Sequence, residues 1–232
     1  QLTVPSRSTS KISSALHQKL IAKYDECWVP DVPGPINLSG KLGHLRNTHL
    51  PIQHIGPLSR MSPLNLEIKY DILCLLSGPE PQRSMLEKKL RNELAGSDKR
   101  IAIVQGVVEG GSNCTKEAQF TVFNYLQTEA LEKLINQSTM VISRPGYTTI
   151  MDLAQMQKPA FFIPTPGQSE QQYLAKKLRR QGLVPSCSQR KFNLRQLRKS
   201  TVYKGLYAFK KREDFSDLFR LFEGKGELRA YA

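Results

Sequence analysis

From residue 69 onward, short apolar runs alternate with longer stretches in which apolar positions recur every three or four residues. The runs at 71–76, 101–104, 140–142 and 160–163 show no polar alternation, the pattern of strands buried on both faces. Between them the spacing predicts helices over 84–94, 129–136, 149–155 and 170–181. Strands alternating with such helices imply βαβ units and an α/β fold, a Rossmann-like doubly wound parallel sheet. Ligands of these sheets bind outside the carboxyl ends of the strands, which places Ser77, Gly78, Gly106 and residues 143–146 and 164–168 around one crevice.

The flanks read differently. Residues 12–24 have helical spacing, with Ile12, Leu16, Leu20 and Ile21 apolar; 27–30 reads as a short strand, and 31–39 is rich in Pro and Gly. Beyond Phe192, Leu194 and Leu197, then Phe215, Leu218, Phe219, Leu221 and Phe222, predict two amphipathic helices. At 232 residues the chain can bury one full domain core and part of another. It opens on Gln1, which fits a processed terminus or a piece cut from a longer protein. No apolar run approaches the ~20 residues of a membrane-spanning helix, so a soluble chain is expected. Cys27, Cys74, Cys114 and Cys187 lack metal-ligand spacing and read as reduced, buried thiols of a cytoplasmic protein.

Charge adds a second signal. The formal net charge is +14, and residues 171–212 alone carry thirteen Lys or Arg and no Asp or Glu. Lys176, Lys177, Arg179 and Arg180 fall on one predicted helix, Arg195, Arg198 and Lys199 on another, and Lys210, Lys211 and Arg212 precede a third. A region of one sign attracts polyanions: nucleic acid, an anionic membrane surface or a diphosphate-linked acceptor.

The densest chemistry lies in residues 141–175, VISRPGYTTIMDLAQMQKPAFFIPTPGQSEQQYLA. A strand, a glycine turn and a helix start bring backbone N–H groups to a positive dipole end, a natural phosphate site. Tyr147, Thr148 and Thr149 begin that helix, Asp152 lies one turn in, a second strand ends at Pro164, and a polar run covers 167–172. In order, these elements read S-R-x-G, Thr, an acid, K-P-x-x-x-I-P and a Gln-bearing loop. Over roughly residues 71–185 the chain resembles the donor-binding, C-terminal half of GT-B glycosyltransferases. The relevant family, glycosyltransferase family 28, includes the lipid II-forming N-acetylglucosaminyltransferase of bacteria.

The resemblance implies a nucleotide-sugar pocket, with a UDP-sugar as donor substrate and no cofactor. Arg144, Gly146, Tyr147, Thr148 and Thr149 would surround the diphosphate, and Asp152 would accept hydrogen bonds from both ribose hydroxyls. Gln171 and Gln172 would meet sugar hydroxyls, since an amide both donates and accepts. Glu170 stands where relatives often have His, and Leu174 where they usually have Asn. Thr128 and Leu131 would hold the uracil, and Arg60 would reach the diphosphate. Ser77 and Gly78 occupy the place of a glycine-rich loop, although Pro79 removes one N–H from it.

It also implies domains. Residues 1–56 would be the end of an N-terminal acceptor domain, crossed at Ile55-Gly56-Pro57; 57–190 the donor domain; and 191–232 C-terminal helices that pack near the N-terminal domain. Most of that domain would be missing, and with it the general base, leaving the catalytic residues unknown and the chain alone inactive. Among His17, His44, His49 and His54 no base is evident, and His44 reads as structural. No D-x-D pair occurs, in line with inverting, metal-independent transfer to a lipid-linked acceptor at the inner face of the membrane. Two other readings stand beside this one. A nucleotide-sugar 2-epimerase shares the architecture, and a basic nucleic-acid-binding module would use Tyr173, Phe192, Tyr203, Tyr207 and Phe209 among its cations.

Overall fold

Each apolar run becomes a strand of one sheet. The computed structural model describes residues 10–45, 49–109, 113–206 and 214–223. The chain runs through α1 (Ser10–Ile21), β1 (Cys27–Val29), β2 (Ile52–His54), β3 (Tyr70–Leu75), α2 (Gln82–Leu94), β4 (Ile101–Val104), β5 (Cys114–Glu117) and β6 (Phe120–Phe123). It continues through α3 (Thr128–Asn136), β7 (Ser138–Ser143), α4 (Tyr147–Gln155), β8 (Ala160–Phe162), α5 (Ser169–Arg180), α6 (Leu194–Leu197) and α7 (Ser216–Glu223).

Strands β6, β4, β3, β7 and β8 lie side by side in that order, all parallel, and β5 adds an antiparallel edge. Numbered along the chain, the parallel strands stand 3-2-1-4-5, the Rossmann order, which reverses between β3 and β7. Connections leave those two strands toward opposite faces and open a crevice at their carboxyl ends.

The lack of polar alternation now has its cause. Leu73 faces a core built with Val104, Val141 and Phe162 and covered by Ile135, Leu153 and Leu178 of α3, α4 and α5. Its neighbours Ile72 and Cys74 face a second core, with Ile103, Ile142 and Phe161, covered by Leu86, Leu90 and Leu94 of α2. Each such buried Leu contributes about 1.5–3 kcal/mol. Burial also pushes the Cys74 thiol up to about 12, so it is inert. None of the four cysteines is in a disulfide, but they are not uniformly buried as expected: Cys114 is exposed on the edge strand.

Before the main sheet, β1 and β2 pair in parallel, with Cys27 opposite Ile52, and Ile21 of α1 packs on Val29. The C-terminal end returns here: Phe219 of α7 meets Trp28 edge-on, ring centroids 6.0 Å apart. The predicted helix at Leu194 and Leu197 shrinks to the four residues of α6, followed by a 3-10 turn at Arg198–Val202. Lys210, Lys211 and Arg212 lie outside the described residues.

Candidate functional site

At the switch point the chain leaves β7 through Ser143, Arg144 and Pro145 and enters α4. Gly146 is its N-cap, in an extended conformation (φ −67°, ψ 143°), and no side chain caps the helix. The first turn, Tyr147, Thr148 and Thr149, contains no acid, so its backbone N–H groups face the crevice uncompensated. The expected tight glycine turn is not what holds Gly146, because its φ is negative and a Cβ there would meet only Thr149 Oγ1 at 3.7 Å. Across the crevice Gly78 follows exposed Ser77 at φ +97°, which does favour glycine.

Asp152, half-buried on α4, accepts a hydrogen bond from Ser59 Oγ at 2.6 Å. Burial holds its carboxyl above the ordinary value, while Ser59 and the charge of exposed Arg60 pull the other way. Arg60 was expected at the diphosphate; the structure sets it beside Asp152. The segment carrying both is laced to α3 and α4. Leu58 N–H points to Met151 Sδ, Ser62 N–H donates to Glu132, and Asn136 accepts from Leu64 N–H while donating to Ser62 O. Thr128 and Leu131 are half-buried near the start of α3, with Leu131 against the core.

Arg144 corrects an expectation. Its side chain is 1% exposed, and the guanidinium donates to Ile163 O and Gln82 O, both at 3.0 Å, and to Gln189 Oε1 at 2.8 Å. It ties together the start of α2, the residue that follows β8 and the segment around Gln189 instead of presenting its charge to a ligand. Burial without a carboxylate brings its pKa down to about 10.

The helix α5 presents three different faces. Gln171 Oε1 accepts from Thr165 N–H at 2.8 Å and closes the loop after β8. Exposed Gln172 points elsewhere, into a separate cleft with Lys176 and Arg179, so the two glutamines do not converge on one sugar. Glu170, Tyr173 and Lys177 turn toward residues 31–44. There Tyr173 Oη accepts from Lys41 N–H at 2.9 Å, and Lys177 Nζ donates to Asn37 O.

That segment folds around Asp31, fully buried and unremarked in sequence. Its carboxylate accepts from the N–H groups of Val32, Leu38 and Ser39 and from Ser39 Oγ. An Asp heading a Pro- and Gly-rich loop was its only available signal. Tyr147 Oη donates to Pro30 O at 2.7 Å, so the first residue of α4 holds this segment. Trp28, Leu42, Ser39, His17, Tyr147 and Glu170 line a cavity of about 230 Å³ between the two parts. His44 is structural: Nδ1 stands 3.2 Å from Gly40 O, Nε2 3.0 Å from Val32 O, and the ring stacks on His54 at 4.3 Å. Among the described residues no group of His, Cys, Asp and Glu is arranged to hold a metal.

A family model for the glycosyltransferase family 28 C-terminal domain matches residues 87–211, more than half of the chain. The chain belongs to this family. Among solved structures it is similar to the glycosyltransferase SnogD from Streptomyces nogalater (15% identity, TM-score 0.40, 65% of this chain and 35% of that one). It is also similar to MurG of Acinetobacter baumannii (19%, TM-score 0.42, 60% and 44%) and to ALG13 (17%, TM-score 0.45, 67% and 95%). The chain spans 35% and 44% of the lengths of SnogD and MurG. No curated protein matches it in sequence.

In this family 28 domain the described residues of the basic run do not share one face. Lys177 is half-buried and spent on Asn37 and Gln181, its pKa brought down to about 8 by burial. Arg198 and Lys204 border a cleft of about 650 Å³ at the opposite end of the sheet, beside Asp71 and Thr139. Arg180 and Arg195 are exposed, and of the Lys199 side chain nothing is described. No helix among the described residues is long and apolar enough to cross a membrane.

Proposed function

We propose that this chain is the donor-binding part of a glycosyltransferase that takes a sugar from a nucleoside diphosphate, UDP first among them. One observation carries the reading: the uncapped N-terminus of α4 opens at the switch point of a Rossmann sheet, with the half-buried acid Asp152 one turn behind it. The diphosphate fits the N–H groups of Tyr147, Thr148 and Thr149, and Asp152 is spaced to accept both ribose hydroxyls. Leu131 and Thr128 then flank the base, and Glu170 and the loop closed by Gln171 flank the sugar. The helix end stabilises the leaving diphosphate without a metal, and transfer inverts the anomeric centre.

In this account residues 1–56 end an acceptor domain, 57–190 are the donor domain, and 191–232 pack back toward the first part. The Trp28–Phe219 contact supports that return. The base and acceptor come from the remainder of the acceptor domain, and the whole works in the cytoplasm on a lipid-linked acceptor.

The ribose contact is tested by comparing UDP with 2′-deoxy-UDP on the parent chain and on Asp152→Ala. The parent should prefer UDP, and the variant should lose most of that preference together with roughly 1.5–3 kcal/mol of UDP affinity. Equal discrimination by both proteins would remove Asp152 from the ribose.

A further inference from the structure

The face of α5 formed by Gln172, Lys176 and Arg179, spaced four and three residues apart, borders a cleft of about 540 Å³. Its other walls are the loop 164–167 after β8 and the segment 186–190. It opens at the same end of the sheet as the donor crevice, but on the outer side of α5, beyond the edge where Ser186 bridges to Phe162. Arg190 enters from the opposite wall. Both walls are held in place. Arg179 Nη1 donates to Ser186 O at 3.3 Å, Ser186 Oγ to Ala175 O at 3.2 Å, and buried Arg144 grips Gln189, the neighbour of Arg190.

Lys176, Arg179 and Arg190 share this recess, and among the described residues no Asp or Glu lines it. Their mutual repulsion goes uncompensated within the cleft, so an anion seated among them gains from all three. Two guanidinium forks and an ammonium suit a small, multiply charged oxyanion, with the Gln172 amide as a further donor. Among the described residues no aromatic side chain lines the cleft to stack a base, and the charges converge in one recess instead of tracking a strand, which disfavours nucleic acid. Lys177, one residue from Lys176, takes no part because it faces Asn37.

We propose that this cleft is a second anion site, distinct from the donor crevice, which binds a phosphate group presented by a lipid headgroup or by free phosphate. The probes are inorganic phosphate, followed by calorimetry, and vesicles of phosphatidylcholine with or without phosphatidic acid, followed by co-sedimentation. The double variant K176Q/R190Q should weaken binding at least about tenfold, because two charge-assisted contacts are lost. Arg195→Gln, equally exposed but outside the cleft, should leave it within about twofold, and thermal melting should show both variants folded. Loss in both arms identifies any accessible phosphate as the ligand, and loss with vesicles alone identifies the headgroup; either supports the site. The proposal is overturned if Arg195→Gln weakens binding as much as the double variant, if neither probe binds, or if only oligonucleotide binding responds.

Discussion

Tyr147 and Pro30 lie 117 residues apart in sequence and are joined by one hydrogen bond, the Tyr147 hydroxyl donating to the Pro30 carbonyl at 2.7 Å. Tyr147 opens α4, whose N-terminus faces the crevice at the carboxyl ends of β3 and β7, and Pro30 follows β1 and leads into the loop around Asp31. The start of α4 is therefore a joint between the two parts of the molecule. Burial and the charge of Asp31 push the Tyr147 hydroxyl pKa upward, so it stays a neutral donor across the physiological range.

Tyr147→Phe should remove that joint and little else. We expect a loss of about 0.5–1.5 kcal/mol in urea denaturation and faster protease cleavage within residues 31–44. Unchanged cleavage in that segment would mean the hydroxyl does not hold it.

Arg144→Met should cost about 3 kcal/mol, since the carbonyl oxygens of Ile163 and Gln82 and the Gln189 amide oxygen lose a shared donor. Arg144→Lys should recover little of it, because an ammonium cannot reach three acceptors set by a planar fork. Chemical denaturation of the three proteins measures this, and full rescue by lysine would contradict the geometry.

Lys177 carries a pH signature. Its folded pKa, about 8, lies below the ordinary 10.5, so between these values the unfolded chain binds more protons and this group makes stability rise with pH. The difference in urea midpoint between parent and Lys177→Met should therefore shift in favour of the parent from pH 8 to pH 10. A constant difference would show that Lys177 titrates normally.

Asp152 has the opposite sign. Its folded pKa is raised, so its contribution is full below the ordinary 3.8 and is lost as pH rises through the folded value. Asp152→Asn should keep the Ser59 hydrogen bond and melt higher than the parent at neutral pH, while binding UDP less well. A carboxylate kept half-buried against stability is a mark of a site. A lower melting temperature for the variant, at unchanged UDP affinity, would make the acid structural.

What was legible in the sequence was whatever burial wrote into it locally. The strands β3, β4, β7 and β8 lie between two cores and read as unbroken apolar runs. The hairpin of β5 and β6 was missed because all four residues of β5 are exposed, so no apolar run marks it. Leu194 and Leu197 looked like an amphipathic helix, but the chain turns after four residues. That Asp152 lies on α4 could be read from its spacing after Gly146. Arg144 could not, since its acceptors lie 19, 62 and 45 residues away, and only the folded chain shows the guanidinium turned inward. Tyr147 and Lys177 share this character, each defined by a contact across the molecule, whereas Asp31 is defined by the N–H groups of its own loop.

The central claim is that the N-terminus of α4 holds the diphosphate of a nucleotide sugar. Calorimetry of this chain with UDP and with uridine tests it most directly, because the two ligands differ only in the group that meets the helix end. The account predicts UDP binding at least about tenfold tighter than uridine, the difference shrinking as salt rises. Equal affinity for the two, or no binding of UDP, would contradict it.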